Sequence, residues 1–249
     1  MSERVCAGTL YLVSTPIGNL GDITYRALDI LQGVDLVAAE DTRTTRILLE
    51  HYGLHKTLIS YHSHNEVRRS RELIAHLQNG KSIGLTTDAG TPGISDPAGV
   101  IVRAAIGEGI PVVPLPGPSA ALPALIVSGL PTDRFVFEGF LPVKKGRRTR
   151  LMQLAQDPRT IIMYESPFRV ERTLRDIRDI VGERQAAVVR ELTKKFEEVV
   201  RGTVSQVLTT IMGKPSRGEY VIVLAGTAFA PDGRETMPSG SHHQPATLP

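Results

Sequence analysis

One cysteine, Cys6, stands among 249 residues, and tryptophan is absent. A lone thiol excludes a disulfide framework and any zinc site built on several cysteines. It suits a reducing compartment, so a cytoplasmic location is expected. Aromatic residues are scarce as well, six Tyr and six Phe, which argues against a surface paved with stacking rings like that of dedicated single-strand binders. A membrane span is not expected. The longest charge-free stretch, 109–132, contains Pro111, Pro114, Pro116, Pro118, Pro123 and Pro131, and each proline removes a backbone donor that a lipid-exposed helix needs. The apolar run at 10–13 is too short for a signal-peptide core. Three chemical signatures are missing too. Where a G-x-G-x-x-G would follow the first strand, Pro16-Ile17-Gly18-Asn19-Leu20-Gly21 stands instead, and there is no P-loop and no G-x-S-x-G.

What is present is a folded, ordinary composition: 41% hydrophobic, 22% charged and a net charge of +3. That mild charge permits an anionic partner without demanding one. With 23 Gly and 17 Pro the chain requires many tight turns. Short apolar runs at 9–14, 34–39, 57–60, 82–86 and 111–115 read as strands. Helix-length segments near 24–32, 42–52, 66–79, 97–108 and 119–128 fall between or after them. Such alternation predicts a mainly parallel sheet covered on both faces. The texture changes near Pro131. Strands are expected at 134–139, 160–164, 186–190, 197–202 and 220–225, with helices at 167–181 and 203–212 and a basic loop at 144–150. The fold class is therefore α/β with two α/β domains: 1–117, then 118–228, then a disordered tail, 229–249, too poor in large apolar residues to offset its ordering entropy.

Three loops follow predicted strands: 14–19 (STPIGN), 88–97 (DAGTPGISDP) and 116–120 (PGPSA). In open α/β sheets, ligands bind beyond the carboxyl ends of the strands. Glycine there admits a ligand close to the backbone, proline stiffens the loop, and a serine at a helix start offers polar groups. Taken singly, each loop is equally an ordinary turn.

Together with these loops, TPIGNLGDIT (15–24), AEDTR (39–43), YHSHNE (61–66), PLPGPSAALPAL (114–125), FEGFLP (137–142), YESPFR (164–169) and RELTKKFEE (190–198) carry a resemblance. The chain resembles the tetrapyrrole-methylase-type, or class III, S-adenosylmethionine methyltransferases over roughly 8–226. More narrowly, it is similar to their branch that methylates ribose 2′-oxygens of small-subunit ribosomal RNA. The resemblance implies S-adenosyl-L-methionine as cofactor in a cleft between two α/β domains, a homodimer, and methylation of a cytidine ribose in the decoding region of that RNA, free or in the assembled subunit. By position it implies cofactor contacts at Ile17, Gly18, Asp88, Ala89, Gly90, Thr91, Ser119 and Ala120, and at Ser166, Leu192 and Glu219 in the second half.

A ribose hydroxyl is a poor nucleophile and would profit from a base. Asp41, Glu165 and Lys194 are the candidates, with Asp41 and Lys194 placed first. Asp41 equally suits an ion pair with Arg43, and Lys194 a phosphate contact or a solvated face. The candidate RNA-contacting residues are Arg43, His62, His64, Arg169 and, from 144–150, where five of seven residues are basic, Lys144, Lys145, Arg147 and Arg148. Such charges position a nucleic acid without reading its sequence. No metal is expected, because a lone H-x-H lacks further ligands. Two alternatives stay open: a methylase of a tetrapyrrole precursor, and a non-enzymatic RNA-binding assembly factor.

Overall fold

The computed structural model describes residues 5–214 and 217–229; the expected tail beyond Phe229 lies outside the described residues. The chain forms two compact units. One comprises the described residues up to Pro123 together with Glu191–Glu197; the other comprises Ala124–Arg190 and the described residues from Glu198 onward.

The first unit holds strands β1 (Leu10–Val13), β2 (Leu36–Ala39), β3 (Thr57–Ser60), β4 (Ile83–Thr86) and β5 (Val112–Leu115). All pair in parallel in the order β3-β2-β4-β1-β5. Helices α1 (Tyr25–Gly33), α2 (Thr42–His51), α3 (Glu66–Gln78) and α4 (Gly99–Gly107) connect them. The alternation of side chains along each strand divides the core in two. Leu10, Leu36, Ala38, Ile83 and Leu85 pack with Leu73 and Leu77 of α3 and Ile101 of α4. Tyr11, Val13 and Val37 pack with Ile30 and Leu31 of α1 and Leu49 of α2. Both faces are covered, so β2 and β4 are buried along their whole length.

Helix α5 (Ala121–Ser128) spans the division between the units. The second unit carries β6 (Phe135–Phe140), β7 (Thr160–Glu165), β8 (Gln185–Arg190), β9 (Glu198–Thr203) and β10 (Tyr220–Leu224), in the order β6-β7-β10-β8-β9. Only β6 and β7 are parallel; the other pairings are antiparallel. Helices α6 (Arg147–Leu154), α7 (Val170–Ile180) and α8 (Val204–Ile211) contribute Leu151, Leu174, Ile177, Val207 and Leu208 to one core against Ile161, Met163, Val188 and Ile222. Helix α6 corrects the expected basic loop at 144–150. The loop ends at Gly146, whose φ of 81° suits glycine, and Arg147 opens the helix. In β6 the register against β7 slips by one residue between Phe137 and Gly139. Gly139 takes φ 69°, the left-handed conformation such a bulge requires. The slip brings both Phe137 and Phe140 against Tyr164, at ring separations of 5.0 and 5.7 Å.

Candidate functional site

At the carboxyl end of the first sheet, the three sequence-predicted loops are laced to one another. Ser14 Oγ donates to Leu115 O at 3.0 Å and lies 3.1 Å from Thr91 Oγ1, which donates to Pro118 O at 3.2 Å. Thr15 and Gly90 exchange both backbone hydrogen bonds, at 2.8 and 3.0 Å, and Thr15 Oγ1 donates to Thr87 O at 3.0 Å. Gly90 holds φ 89°, where a side chain is strained, and a Cβ there would touch Ile17 and Pro118 O at 3.6 and 3.8 Å. Gly90 is itself buried, packed between those two loops. Gly117 is glycine for a nearer reason: a Cβ would stand 2.7 Å from Ser14 Cβ.

A second layer braces the Asp88 loop from β2. Glu40 Oε2 accepts from Thr87 Oγ1 at 2.6 Å and from Asp88 N at 3.4 Å. Asp41 N donates to Asp88 Oδ1 at 3.1 Å. Carboxylates thus crowd this edge, and their pKa values respond. Burial pushes Asp96 up to about 6, the Thr87 hydroxyl opposes this, and the Glu40 and Asp88 charges add to it. Lost hydration and then the Glu40 charge raise Asp88. Asp41 goes the other way, held down at about 2 by its hydrogen bonds from the Arg43 side chain and backbone. Its carboxylate caps α2, accepting from Arg43 N at 2.8 Å, and pairs with the Arg43 guanidinium at 2.6 Å. Of the two readings of Asp41, the ion pair is what the geometry displays, and a carboxylate at about 2 is a weak proton acceptor.

The segment Glu191–Glu197 belongs to this unit although β8 and β9 on either side belong to the other. Glu191 and Thr193 adopt φ 53° and 65°, both left-handed and uncommon for such residues. Thr193 N donates to Glu197 Oε2 at 2.7 Å, and Lys194 Nζ pairs with Glu191 at 2.9 Å. The Lys194 side chain lies over Gly18: a Cβ on Gly18 would fall 2.3 to 2.8 Å from its Cγ, Cδ and Cε. Two residues 176 positions apart in the expected site are therefore in contact, with buried Leu192 beside them. Ile17 is buried, and Ala89, Thr91, Ser119 and Ala120 are half-buried on the same loops.

His62 and His64 follow β3, at the margin of the same sheet. His62 is fixed by Asn65, whose Oδ1 accepts His62 N at 2.9 Å and whose Nδ2 is 3.1 Å from His62 Nε2. His64 is exposed, its ring 5.8 Å away. No group of three or more metal-ligating residues occurs among the described residues. In the second unit, exposed Glu219 precedes β10.

Ser166 opens the turn after β7, and Ser166 N donates to Glu165 Oε1 at 2.8 Å. Glu165 is buried; it also accepts from Thr173 Oγ1 at 2.6 Å and pairs with Arg169 at 2.7 Å. Arg147 joins this network. It is 5% exposed, and its guanidinium donates to Asp176 and Thr173, each at 2.7 Å, and to Pro142 O at 3.3 Å. Its donors are spent inside the fold, which leaves Lys144, Lys145 and Arg148 as the exposed cations of the group. Ser14, Thr15, Glu40 and Thr87 were not among the expected site residues. Ser14 and Thr15 lay in the expected loop 14–19 and Glu40 in AEDTR, and each of the four falls within two residues of the end of a strand of the parallel sheet.

The description "Tetrapyrrole (Corrin/Porphyrin) Methylases" matches residues 9–208. A Synechocystis protein named ribosomal RNA small subunit methyltransferase I is 52% identical over 221 residues, covering 88% of this chain and 79% of that one. Its namesake in Escherichia coli O157:H7 is 50% identical over 223 residues, 88% of this chain and 78% of that one. Among solved structures, cobalt precorrin-4 methyltransferase aligns with a TM-score of 0.64 at 18% identity, covering 88% of this chain and 95% of its own. Uroporphyrin-III C-methyltransferase from Thermus thermophilus, complexed with S-adenosyl homocysteine, aligns at 0.61 and 20%, covering 87% and 97%. At those identities the structures bear on fold alone.

Proposed function

The chain belongs to the tetrapyrrole methylase family, and on that premise we propose that it methylates a cytidine ribose 2′-oxygen in the decoding region of small-subunit ribosomal RNA, using S-adenosyl-L-methionine. The observation that carries this reading is the 52% identity, over 88% of the chain, to a relative named for small-subunit ribosomal RNA methylation. The tetrapyrrole enzymes of the same fold stand at 18 to 20%. We propose a cytoplasmic homodimer; no described helix is long and apolar enough to cross a membrane.

The residues present fit the cofactor. The laced loops hold Gly90 as bare backbone between Ile17 and Pro118 O, in a conformation that a side chain could take only under strain. The carboxylates of Glu40, Asp88 and Asp96 make this edge negative, which suits a cationic sulfonium and ammonium. Ile17, Gly18, Asp88, Ala89, Gly90, Thr91, Ser119 and Ala120 would hold the cofactor, with Leu192 on the returning segment; the resemblance assigns Ser166 and Glu219 as further contacts. When bound, S-adenosylmethionine supplies a methyl group already activated on sulfur. What remains for the protein is chiefly alignment and exclusion of water. Asp41 serves by fixing Asp88 and the start of α2. Lys194, ion-paired with Glu191, and Arg43 serve as cations toward RNA phosphate, and Lys144, Lys145 and Arg148 do so on the second unit.

Labelled S-adenosylmethionine offered with unmethylated small subunits, with naked ribosomal RNA and with a tetrapyrrole precursor tests the reading. One methyl on a ribose oxygen is expected. Label on the tetrapyrrole alone identifies the other branch, and no transfer at all with RNA bound leaves only an assembly factor.

A further inference from the structure

Phe168 is 81% exposed, on a turn whose backbone is held by hydrogen bonds. Pro167 fixes one backbone angle. Ser166 O accepts from Arg169 N and Val170 N at 2.9 and 3.0 Å, and Phe168 N donates to Ser166 Oγ at 3.3 Å. Beneath it lies the buried Glu165, tied to Ser166, Thr173 and Arg169. A large apolar ring is thus presented to water on a preorganised support, an arrangement that costs burial in the free protein.

Its surroundings say what covers it. Strands β6 and β7 run in parallel, so the loop after β6 and the turn after β7 share one end of the sheet. Arg169 Nη1 donates to Leu141 O at 3.5 Å across that end. Phe140, half exposed, stands edge-on to Tyr164 there. The exposed cations Lys144, Lys145 and Arg148 lie on the loop and first turn that follow, and Arg147 binds this loop to α7 through Pro142 O and Thr173. Exposed rings that share one end of the sheet with exposed cations match an unpaired nucleobase on a phosphate backbone, because a base offers a π-face and its strand offers the charge. An apolar protein partner would leave the cations unanswered.

We propose that Phe168 stacks on an unpaired base of the RNA substrate beside the phosphates met by Lys144, Lys145 and Arg148. This rests on the RNA reading above and adds to it a specificity contact for single-stranded over paired RNA. The probe is a short single-stranded RNA carrying an end label for anisotropy and 2-aminopurine for stacking, titrated at several salt concentrations. Phe168→Ala is expected to weaken binding about tenfold or more. It should also remove the 2-aminopurine response and leave the salt slope unchanged, while Phe168→Trp restores affinity and response. The Lys145→Ala/Arg148→Ala pair is expected to flatten the salt slope by about two phosphate contacts. Parent-like binding by Phe168→Ala beside a flattened slope for the charge pair overturns the stacking role and leaves the RNA surface standing. Failure of the parent to bind this RNA overturns the stacking role, and failure to methylate small subunits or naked ribosomal RNA as well overturns the RNA reading. If Phe168→Ala instead converts a dimer to a monomer in sedimentation with RNA affinity unchanged, the ring is a contact between copies and the proposal falls. Thermal melts verify folding, which truncation of so exposed a ring should not disturb.

Discussion

Asp96 lies among like charges, and its proton therefore reports on the whole edge. An aspartate at about 6 in the folded protein, against 3.8 ordinarily, binds its proton more tightly folded than unfolded. Its contribution to stability is full below about pH 4 and is lost as pH rises through about 6. Asp41, at about 2, has the opposite sign: its contribution is present above about pH 4 and lost only as pH falls toward 2. Asp96→Asn removes the cost of the buried charge. The variant should be more stable than the parent by about 1–2 kcal/mol near pH 7.5, with the gap closing toward about pH 4. Thermal melts across that range decide, and equal stability near neutrality would sink the assignment.

Helix α6 shows how far an element can be read from its letters. The stretch Lys144–Arg150 is so basic that a solvated loop is the natural expectation, yet Arg147, Leu151 and Leu154 recur at helical spacing and face inward. The periodicity was there, with an arginine where an apolar residue would normally stand. The sequence could not disclose that Thr173 and Asp176, on α7, supply its partners. Strands of the first unit were legible because a sheet covered on both faces demands uninterrupted apolar runs. The loops of the site were legible because Gly and Pro mark turns, but their lacing depends on Ser14, Thr15 and Thr87, hydroxyls with no local signature. Removing Arg147 takes the donor from Thr173 Oγ1, which is buried, and from the part-buried Asp176 and Pro142 O. Arg147→Ala should therefore lower stability by about 2–4 kcal/mol, and Arg148→Ala by no more than about 0.5 kcal/mol. Urea midpoints compare the two, and similar losses would show that the buried guanidinium does not organise this unit.

Across the whole molecule, the chain leaves the second unit at Arg190, gives Glu191–Glu197 to the first, and returns at Glu198. Arg190 and Glu198 are partners in the β8–β9 ladder, so the excursion starts and ends at one rung. Replacing Glu191–Glu197 with a Gly/Ser linker of equal length should leave that ladder intact while taking Lys194 off Gly18. Amide exchange at residues 17–19 is expected to speed up and S-adenosylmethionine affinity to fall, with exchange in β8 and β9 unchanged. Parent-like exchange at residues 17–19 would show that the segment is a passive connection. The same path bears on inheritance. A gene fragment ending at Pro123 would encode the parallel sheet without the residues that rest on its first loop, and a single crossover after Pro123 between relatives would set a foreign 191–197 segment against the native Gly18. Variants at Gly18 and at 191–197 are thus bound to descend together, however far apart they lie along the gene.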